Sequence, residues 1–486
     1  MRMLDDLQFD NTYARLPATF HQRIAPSPVP DPYLVAFSPD AAKLIDLNAS
    51  VASSPVFVHT FAGNRLLPGS EPIAMKYAGH QFGSWVPQLG DGRAILLGEV
   101  RNEAGEKWDL HLKGGGKTAF SRFGDGRAVL RSSIREYLAC EAMHALRIPT
   151  TRSLCVIGTA MPVYRETVET GAVIVRMAPS HVRFGSFEVF AHRGQTDEVK
   201  TLADYVIEQH YPHLSQVENR YAAFLREVVA RTARLIAKWQ AVGFAHGVLN
   251  TDNMSILGLT LDYGPYGFME EFAPGFICNH SDETGRYAFD QQPRIGYWNL
   301  AALAQSLLSL IDLEEAKAAI NTYADEFNAH MHGLMLTKLG FKTDLEGDQK
   351  LWMDLLDVLA ESRVDYTIFF RKLSEYRTDA DNDVIRRLFA DATKFDDWSG
   401  RYRDRLRAEG SADEERRLRM NSVNPKYILR NYLAQVAIDK AQKRDFSEVD
   451  RLRGVMQLPF DEQPEMEHYA APTPEWGKRL SVSCSS

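Results

Sequence analysis

The feature that constrains this chain most is the segment from His246 to Asn253, followed by the triplet Asp262-Tyr263-Gly264. Asn253 lies seven residues after His246, and Asp262 lies nine residues beyond Asn253. Amide and carboxylate oxygens are the ligands that Mg²⁺ shares with phosphate oxygens in nucleotide sites. Each residue alone is commonplace, but this spacing predicts a metal–nucleotide site built from two neighbouring loops.

Protein kinases have the same layout, with one difference. Their catalytic loop is H-R-D-x-x-x-x-N, in which the Asp accepts the hydroxyl proton and the Asn holds magnesium, as does the Asp of D-F-G. The position of that base is Val248, and valine cannot accept a proton. A carboxylate stands instead at Asp252, directly before Asn253. The site is therefore predicted to hold a metal nucleotide without the usual apparatus for phosphorylating a hydroxyl.

Three roles are open to Asp252: a general base, a metal ligand that acts through water, or an acid in a turn. We favour the base, because a positioned proton acceptor is needed when a hydroxyl attacks phosphorus.

Composition excludes several classes of protein. The chain has 486 residues, of which 45% are hydrophobic and 25% charged, as in globular proteins. A formal net charge of −8 argues against bulk nucleic-acid binding, and no apolar run approaches the ~20 residues of a membrane span. The N-terminus has no apolar core of a signal peptide, so we expect a cytoplasmic protein that binds neither nucleic acid nor membrane.

The order of strand-like and helical segments predicts an α+β fold of the protein-kinase type, with a β-rich N-lobe and a helical C-lobe. Strand-like runs and one helix dominate up to Met177, and helical periodicity follows Pro179. Proline-rich, irregular segments at both ends predict extensions. We expect an N-terminal extension, an N-lobe, a C-lobe, and a C-terminal helical extension with a tail, at residues 1–75, 76–177, 178–410 and 411–486 respectively.

Lys113 and Glu136 are candidates for the lysine–glutamate ion pair of a kinase site. Lys113 ends the second strand of a predicted hairpin, where a kinase places its phosphate-binding lysine. Glu136 lies near the start of the next helix, where a kinase places the partner that orients this lysine. Ser133-x-x-Glu136 also has the form of a capping box, a role that is compatible with the ion pair.

Two glycine turns with the sequence Gly-Asp-Gly-Arg-Ala are candidates for phosphate contact. The backbone N–H groups of such turns approach phosphates without a Cβ in the way. Either turn also suits a plain tight turn at the surface. Between them, Gly114 to Lys117 lacks the Walker spacing and is read as a flexible connector. The candidate residues are Gly90, Gly92 and Arg93 in the first turn and Asp125 and Gly126 in the second.

Arg176 and Arg183 flank the junction between the predicted lobes. Arg176 follows three β-branched apolar residues, which is an odd place for a solvated side chain. Two arginines that converge on a cleft suit the charge of a triphosphate. For either arginine alone, a structural ion pair is an equally good reading.

The chain resembles the selenoprotein O family, also called YdiU or SelO, whose members are protein adenylyltransferases with a pseudokinase fold. The resemblance covers essentially the whole chain, and its blocks are too long for a chance match. The residues that carry it are Tyr77–Gly83, Gln88–Arg93, Leu112–Thr118, Asn250–Met254, Asp262–Pro265, Asn424-Pro425 and a cysteine third from the end.

The resemblance implies that ATP is bound the opposite way round from a kinase, with its α-phosphate at the transfer point. AMP would then move onto a Ser, Thr or Tyr hydroxyl of a protein, this one included, and pyrophosphate would leave. Asp252 would be the base, and Asn253 and Asp262 would bind Mg²⁺ or Mn²⁺. The implied ATP contacts are Gly90, Gly92, Arg93, Lys113, Asp125, Gly126, Arg176, Arg183 and Asp262.

The same family pattern suggests a reversible disulfide between Cys278 and Cys484. Cys278 follows Asp262 in the segment where kinases keep their activation loop, and Cys484 lies on the tail. The disulfide would tie the tail over the face of the active site. Two free thiols are the alternative, because the cytosol is reducing.

Three classes of function remain open. The favoured one is a protein adenylyltransferase. The second is an ordinary ATP-dependent phosphotransferase that has moved its base to Asp252. The third is a non-catalytic pseudokinase that binds ATP as a scaffold.

Overall fold

The computed structural model describes residues 1–482 and combines a sheet-rich region with a helical region. The strands are β1 (His21–Arg23), β2 (Tyr33–Phe37), β3 (Ile73–Met75), β4 (Gly79–Gln81), β5 (Ser84–Val86), β6 (Ala94–Arg101), β7 (Lys107–Lys113), β8 (Ala128–Val129), β9 (Arg152–Tyr164), β10 (Val168–Ala178), β11 (Phe244–Ala245) and β12 (Gly267–Phe268). The α-helices are α1 (Pro39–Lys43), α2 (Pro55–Phe61), α3 (Leu130–Ala145), α4 (Phe184–Ala191), α5 (Thr196–His210), α6 (Arg220–Val242), α7 (Gln292–Ser306), α8 (Leu313–Asn321), α9 (Tyr323–Lys338), α10 (Asp348–Ser362), α11 (Tyr366–Leu373), α12 (Asp383–Arg386), α13 (Thr393–Ala408), α14 (Asp413–Asn421), α15 (Asn431–Ala441) and α16 (Ser447–Gln457).

Eight of the strands form one antiparallel sheet with the order β1-β3-β6-β7-β10-β9-β2, and β8 pairs with β10. The last eight residues of β10, from Gly171 to Ala178, are a continuous buried run, the pattern of a strand covered on both faces. The hairpin of β6 and β7 pairs Ala94 with Lys113. Lys113 therefore ends its strand beside Arg93, at the end of the central strands that faces the site.

The segment before residue 76 takes part in this sheet. β1 and β3 lie at one edge, and β2 forms the other edge by pairing with β9. β2 approaches β9 so closely that a Cβ on Gly158 would lie 2.3 Å from the ring of Tyr33. Residues 1–75 thus build both edges of the sheet as well as covering its core.

Helix α3 packs against β9 and β10 on one side and against α15 and α16 on the other. Most of its residues are buried, including the polar Ser133, Arg135, Glu136 and Glu141. A helix covered on all sides can hold buried charges only if partners neutralise them. α3 therefore places Glu136 inside the protein, behind the end of β7 that carries Lys113.

Helix α6 leads into the segment that carries His246. It ends at Gly243, whose φ of +72° is a left-handed conformation that glycine adopts without a steric cost. β11 follows at once and pairs with β12, so the backbone before His246 is fixed against the segment beyond Asp262.

Among the helices of residues 1–482, none has the length and apolar character that a membrane crossing requires.

Candidate active site

A cleft of about 640 Å³ lies between the ends of the central strands and the loops around Asp252 and Asp262. A volume of this size is typical of small-molecule sites. Seven Lys and Arg side chains and four Asp side chains line it, although the whole chain has a formal net charge of −8. The cleft therefore concentrates positive charge and suits an anionic ligand. The predicted residues that line it are Gly90, Gly92, Arg93, Lys113, Asp125, Gly126, Arg176, Arg183, Asp252, Asn253 and Asp262.

Lys113, Glu136 and Arg176 form a buried network behind the cleft. Nζ of Lys113 donates to Oε2 of Glu136 at 2.7 Å, and Nε of Arg176 donates to the other carboxylate oxygen. Burial favours the neutral form of Glu136, but the charges of Arg176 and Lys113 outweigh it and lower its pKa. The capping-box interpretation is wrong, because α3 begins at Leu130 and its N-cap is Val129.

Asp262 is held by two buried arginines. One carboxylate oxygen accepts from Nη2 of Arg176, and the other accepts from Nη1 of Arg183. These charges overcome the effect of burial and hold the pKa of Asp262 well below its usual range. Asp262 has a φ of +58°, a left-handed conformation that is uncommon for residues with a side chain. The two arginines and the turn together point an ionised carboxylate into the cleft.

Asp252 is a buried carboxylate that forms no ion pair with any residue from 1 to 482. Oδ2 accepts from Nε2 of Gln81 at 3.1 Å, and Oδ1 has no hydrogen-bond partner within residues 1–482. Burial raises the pKa of Asp252 to about 7, although the hydrogen bond from Gln81 acts in the opposite direction. A proton acceptor with a pKa near the operating pH is well matched to general base catalysis.

The hairpin of β4 and β5 holds the Asp252 carboxylate in place. Residue patterns alone assigned no role to this hairpin. A Cβ on Gly79 would lie 2.9 Å from Oδ1 of Asp252, so only glycine allows β4 to approach so closely. Gln81 donates its side-chain amide hydrogen to Oδ2 of Asp252. Gly79 and Gln81 belong to the block Tyr77–Gly83, which carried the family resemblance, and that block was the available signal.

Asn253 and Asp262 fit a hard divalent cation. Nδ2 of Asn253 donates to the carbonyl oxygen of Val248 at 2.9 Å, and within the described residues no donor bonds its Oδ1. Nε2 of His246 hydrogen-bonds the carbonyl oxygen of Leu261 at 2.9 Å and so joins the loop of Asn253 to the residue before Asp262. An unengaged amide oxygen and an ionised carboxylate at one cleft are a donor set that Mg²⁺ and Mn²⁺ accept.

The first glycine turn lies under the connector, which in the structure is the segment 114–123 that follows β7. A Cβ on Gly90 would lie 2.5 Å from the ring of Phe120, and one on Gly92 would lie 2.8 Å from its carbonyl oxygen. A larger residue at either position would collide with the connector, because the connector packs directly over the turn. Arg93 points into the cleft, and no acceptor of residues 1–482 hydrogen-bonds its guanidinium. A half-buried guanidinium to which no acceptor of the described residues is bonded suits a phosphate oxygen.

The second glycine turn is tied to the sheet. The carboxylate of Asp125 pairs with Arg165 at 2.8 Å and accepts from the backbone N–H of Arg127 at 2.9 Å. Gly126 has a φ of +73°, and a Cβ there would lie 2.1 Å from the backbone of Gly116. Both turns thus contact the connector of residues 114–123, whose Phe123 side chain is fully exposed at the mouth of the cleft.

Cys278 lies behind the loop of Asp252. A Cβ on Gly247 would lie 2.6 Å from its Sγ, and the Cys278 side chain is buried. The backbone N–H of His280 donates to the carbonyl oxygen of Val482 at 2.8 Å, so the tail reaches this segment. Cys484 lies outside the described residues, and its disulfide with Cys278 stays a prediction.

Comparison with known proteins gives a consistent result. Residues 3–457 match the family model described as protein adenylyltransferase SelO. The chain is 62% identical over 488 residues to the protein nucleotidyltransferase YdiU of Myxococcus xanthus and 58% identical over 491 residues to that of Thiobacillus denitrificans. In both comparisons the alignment covers 100% of this chain and 100% of the relative.

Proposed function

The chain belongs to the SelO family and is a nucleotidyltransferase, and from this premise we propose that it transfers AMP from ATP to Ser, Thr or Tyr hydroxyls of proteins, itself included. The observation that carries the proposal is the contrast between Val248 and Asp252 in one cleft. The position of the kinase base holds a hydrocarbon, and a buried carboxylate with an unpartnered oxygen lies four residues later.

The distribution of charge supports an inverted nucleotide. Arg93, Lys113 and Arg176 cluster where β6, β7 and β10 meet, and this corner of the cleft would take the β- and γ-phosphates. The α-phosphate would then lie nearer the loop of Asp252. Adenine would lie toward the mouth of the cleft, beside the connector that carries Phe123.

In the proposed reaction, the protein positions charge and moves one proton. The substrate hydroxyl attacks the α-phosphorus, the bond from that phosphorus to the bridging oxygen breaks, and pyrophosphate leaves. Oδ1 of Asp252 accepts the hydroxyl proton. Lys113 and Arg93 hold the leaving phosphates by charge-assisted hydrogen bonds. A divalent cation bound by Asn253 and Asp262 would supply further positive charge at the phosphate oxygens.

The same proposal includes the architecture and the tail. The sheet-rich region with α3 would be the N-lobe of a kinase-like bilobal fold, with boundaries near residues 75, 177 and 410. The contact between His280 and Val482 supports a disulfide between Cys278 and Cys484, which would tether the tail behind the loop of Asp252.

Labelled ATP separates the three classes of function. The protein is incubated with Mg²⁺, a protein mixture, and ATP that carries its label on either the α- or the γ-phosphate. We expect protein labelling from α-labelled ATP only, because AMP retains the α-phosphate. Labelling from γ-labelled ATP alone would establish a phosphotransferase instead, and bound ATP without any labelling, in the chain itself or in the mixture, would favour the scaffold.

The pH dependence of transfer tests the role of Lys113. Burial lowers the pKa of Lys113 to about 8, and the charge of Glu136 opposes this effect. Because the protonated amine binds phosphate, kcat/KM for ATP is expected to fall as the pH rises through about 8. Glu136→Gln removes a charge that raises the pKa of Lys113, so the falling limb should move to lower pH by about one unit or more.

The control for this shift is Glu141→Gln in the same helix. Glu141 is also buried and paired, with Arg152 at 2.8 Å, but it does not line the cleft. Its replacement should leave the falling limb in place. An unchanged limb in the Glu136 variant would show that Lys113 is not the group that titrates.

A further inference from the structure

Three side chains outside the nucleotide cleft form a second cluster of metal-binding type. His80 comes from β4, Glu188 from α4, and His192 is the residue that ends α4. One ligand atom from each residue lies within 4.8 Å of those of the other two. Glu188 and His192 are four residues apart along one helical face, so their side chains project toward the same point.

The chemistry of the cluster is that of a zinc site. Two imidazole nitrogens and one carboxylate make up the protein ligands of many Zn²⁺ sites, with water in the fourth position. Nδ1 of His80 already lies 2.6 Å from Oε1 of Glu188. The Glu188 side chain is fully buried, and its Oε2 has no hydrogen-bond partner within residues 1–482. A buried carboxylate oxygen without a donor is costly and suits a cation.

We propose that His80, Glu188 and His192 bind a Zn²⁺ ion that is separate from the cation of the nucleotide site. His192 is exposed, which gives an ion and a water molecule access from solvent. Ligand atoms in a tetrahedral zinc site lie ~3.3 Å apart, so His80 and Glu188, now 2.6 Å apart, would separate slightly and the exposed imidazole would move inward. Trp85, stacked on His192 with ring centroids 3.8 Å apart, keeps this imidazole beside the cluster.

The ion would fasten the β4–β5 hairpin to α4. The backbone N–H of His80 donates to the hydroxyl of Thr251 at 2.7 Å, and the next residue, Gln81, donates to Asp252. At the other end, α4 starts directly after Arg183, which holds Asp262. The proposed ion therefore joins the two elements that position these two aspartates.

Calorimetric titration with ZnCl₂ tests the proposal on the full-length, chelator-treated protein. An excess of MgCl₂ is present, so that the oxygen ligands of the nucleotide site are not available to zinc. The wild type is expected to bind one Zn²⁺ per chain at this site. His192→Asn and Glu188→Gln should each weaken this binding by at least ~100-fold, because each removes a direct ligand.

His213→Asn is the matched control, since His213 lies 2.6 Å from Glu227 in a pair to which residues 1–482 add no third ligand. It should bind zinc like the wild type. His192 is exposed, so its variant keeps the fold, and its melting temperature without metal should equal that of the wild type. Cobalt(II) gives a second readout, with tetrahedral absorption bands expected in the wild type and absent in His192→Asn. Equal zinc stoichiometry and affinity in all four proteins would overturn the proposal.

Discussion

Replacement of Asp262 by asparagine is expected to abolish nucleotidyl transfer and to destabilise the fold in the same step. Asn keeps the size of the side chain but removes the charge that neutralises Arg176 and Arg183. These arginines are 3% and 2% exposed, so each would be left as a buried cation without that partner. Removing one partner of a buried ion pair costs about 3–5 kcal/mol, in contrast to surface pairs.

The functional loss has a separate cause. Asp262 is the one carboxylate among the two proposed metal ligands, and an amide binds a hard cation less strongly. ATP binding to Asp262→Asn should therefore lose its dependence on Mg²⁺. Equilibrium unfolding in urea measures the first effect, and titration with ATP in the presence and absence of Mg²⁺ measures the second.

Asp204→Asn is the matched control for stability. Asp204 also pairs with two cations, Lys200 and Arg220, and its side chain is 22% exposed against 21% for Asp262. Its partners face solvent, so the loss should be about 1 kcal/mol or less. If the Asp262 variant unfolds at the wild-type urea concentration and still transfers AMP, the buried network does not depend on this carboxylate.

The site contacts that are easiest to anticipate from the sequence are those that follow from the order of elements. Lys113 ends a strand, and the next helix carries Glu136. This order of elements favours a contact between the two charged groups, which lie 2.7 Å apart. The spacing from His246 to Asn253 and Asp262 is equally local in origin. Nε2 of His246 hydrogen-bonds the carbonyl oxygen of Leu261, the residue before Asp262, and so joins the two loops.

Contacts between distant segments were not predictable in this way. The pairing of Asp125 with Arg165 depends on how a loop and the β9–β10 hairpin meet in space. The support of Asp252 by Gln81 joins residues that are 171 positions apart, and no local pattern in either segment specifies it. The strands of residues 1–75 likewise depend on which sheet edges are open, a property of the assembled sheet and not of those residues.

Replacement of Asp252 by asparagine is expected to have the opposite balance of effects from the Asp262 variant. Transfer should fall by ~10²–10⁴-fold, the contribution typical of a positioned general base. ATP affinity should change little, because Asp252 has no ion pair among the described residues of the cleft and Arg183 bonds its backbone carbonyl. Stability should be retained, since an amide of the same shape still accepts the hydrogen bond from Gln81.

Single-turnover transfer from α-labelled ATP, alongside ATP titration and thermal unfolding, measures these three quantities. Gln81→Met serves as the control, because it removes the donor to Asp252 and leaves the carboxylate in place. It should reduce transfer by less than the loss of the carboxylate. A wild-type rate of transfer in Asp252→Asn would refute the role of base.

Adding Val248→Asp to the Asp252→Asn variant decides between a displaced base and an inverted nucleotide. This double variant has a carboxylate at the position of the kinase base and none at residue 252. If ATP were bound as in a kinase, the new carboxylate would deprotonate a hydroxyl that attacks the γ-phosphate. Label from γ-labelled ATP would then appear on protein. With the α-phosphate at the transfer point, the carboxylate at residue 248 serves no attacking hydroxyl, and we expect no γ-label. The absence of transfer would then result from the orientation of the nucleotide, because a proton acceptor is again present in the cleft.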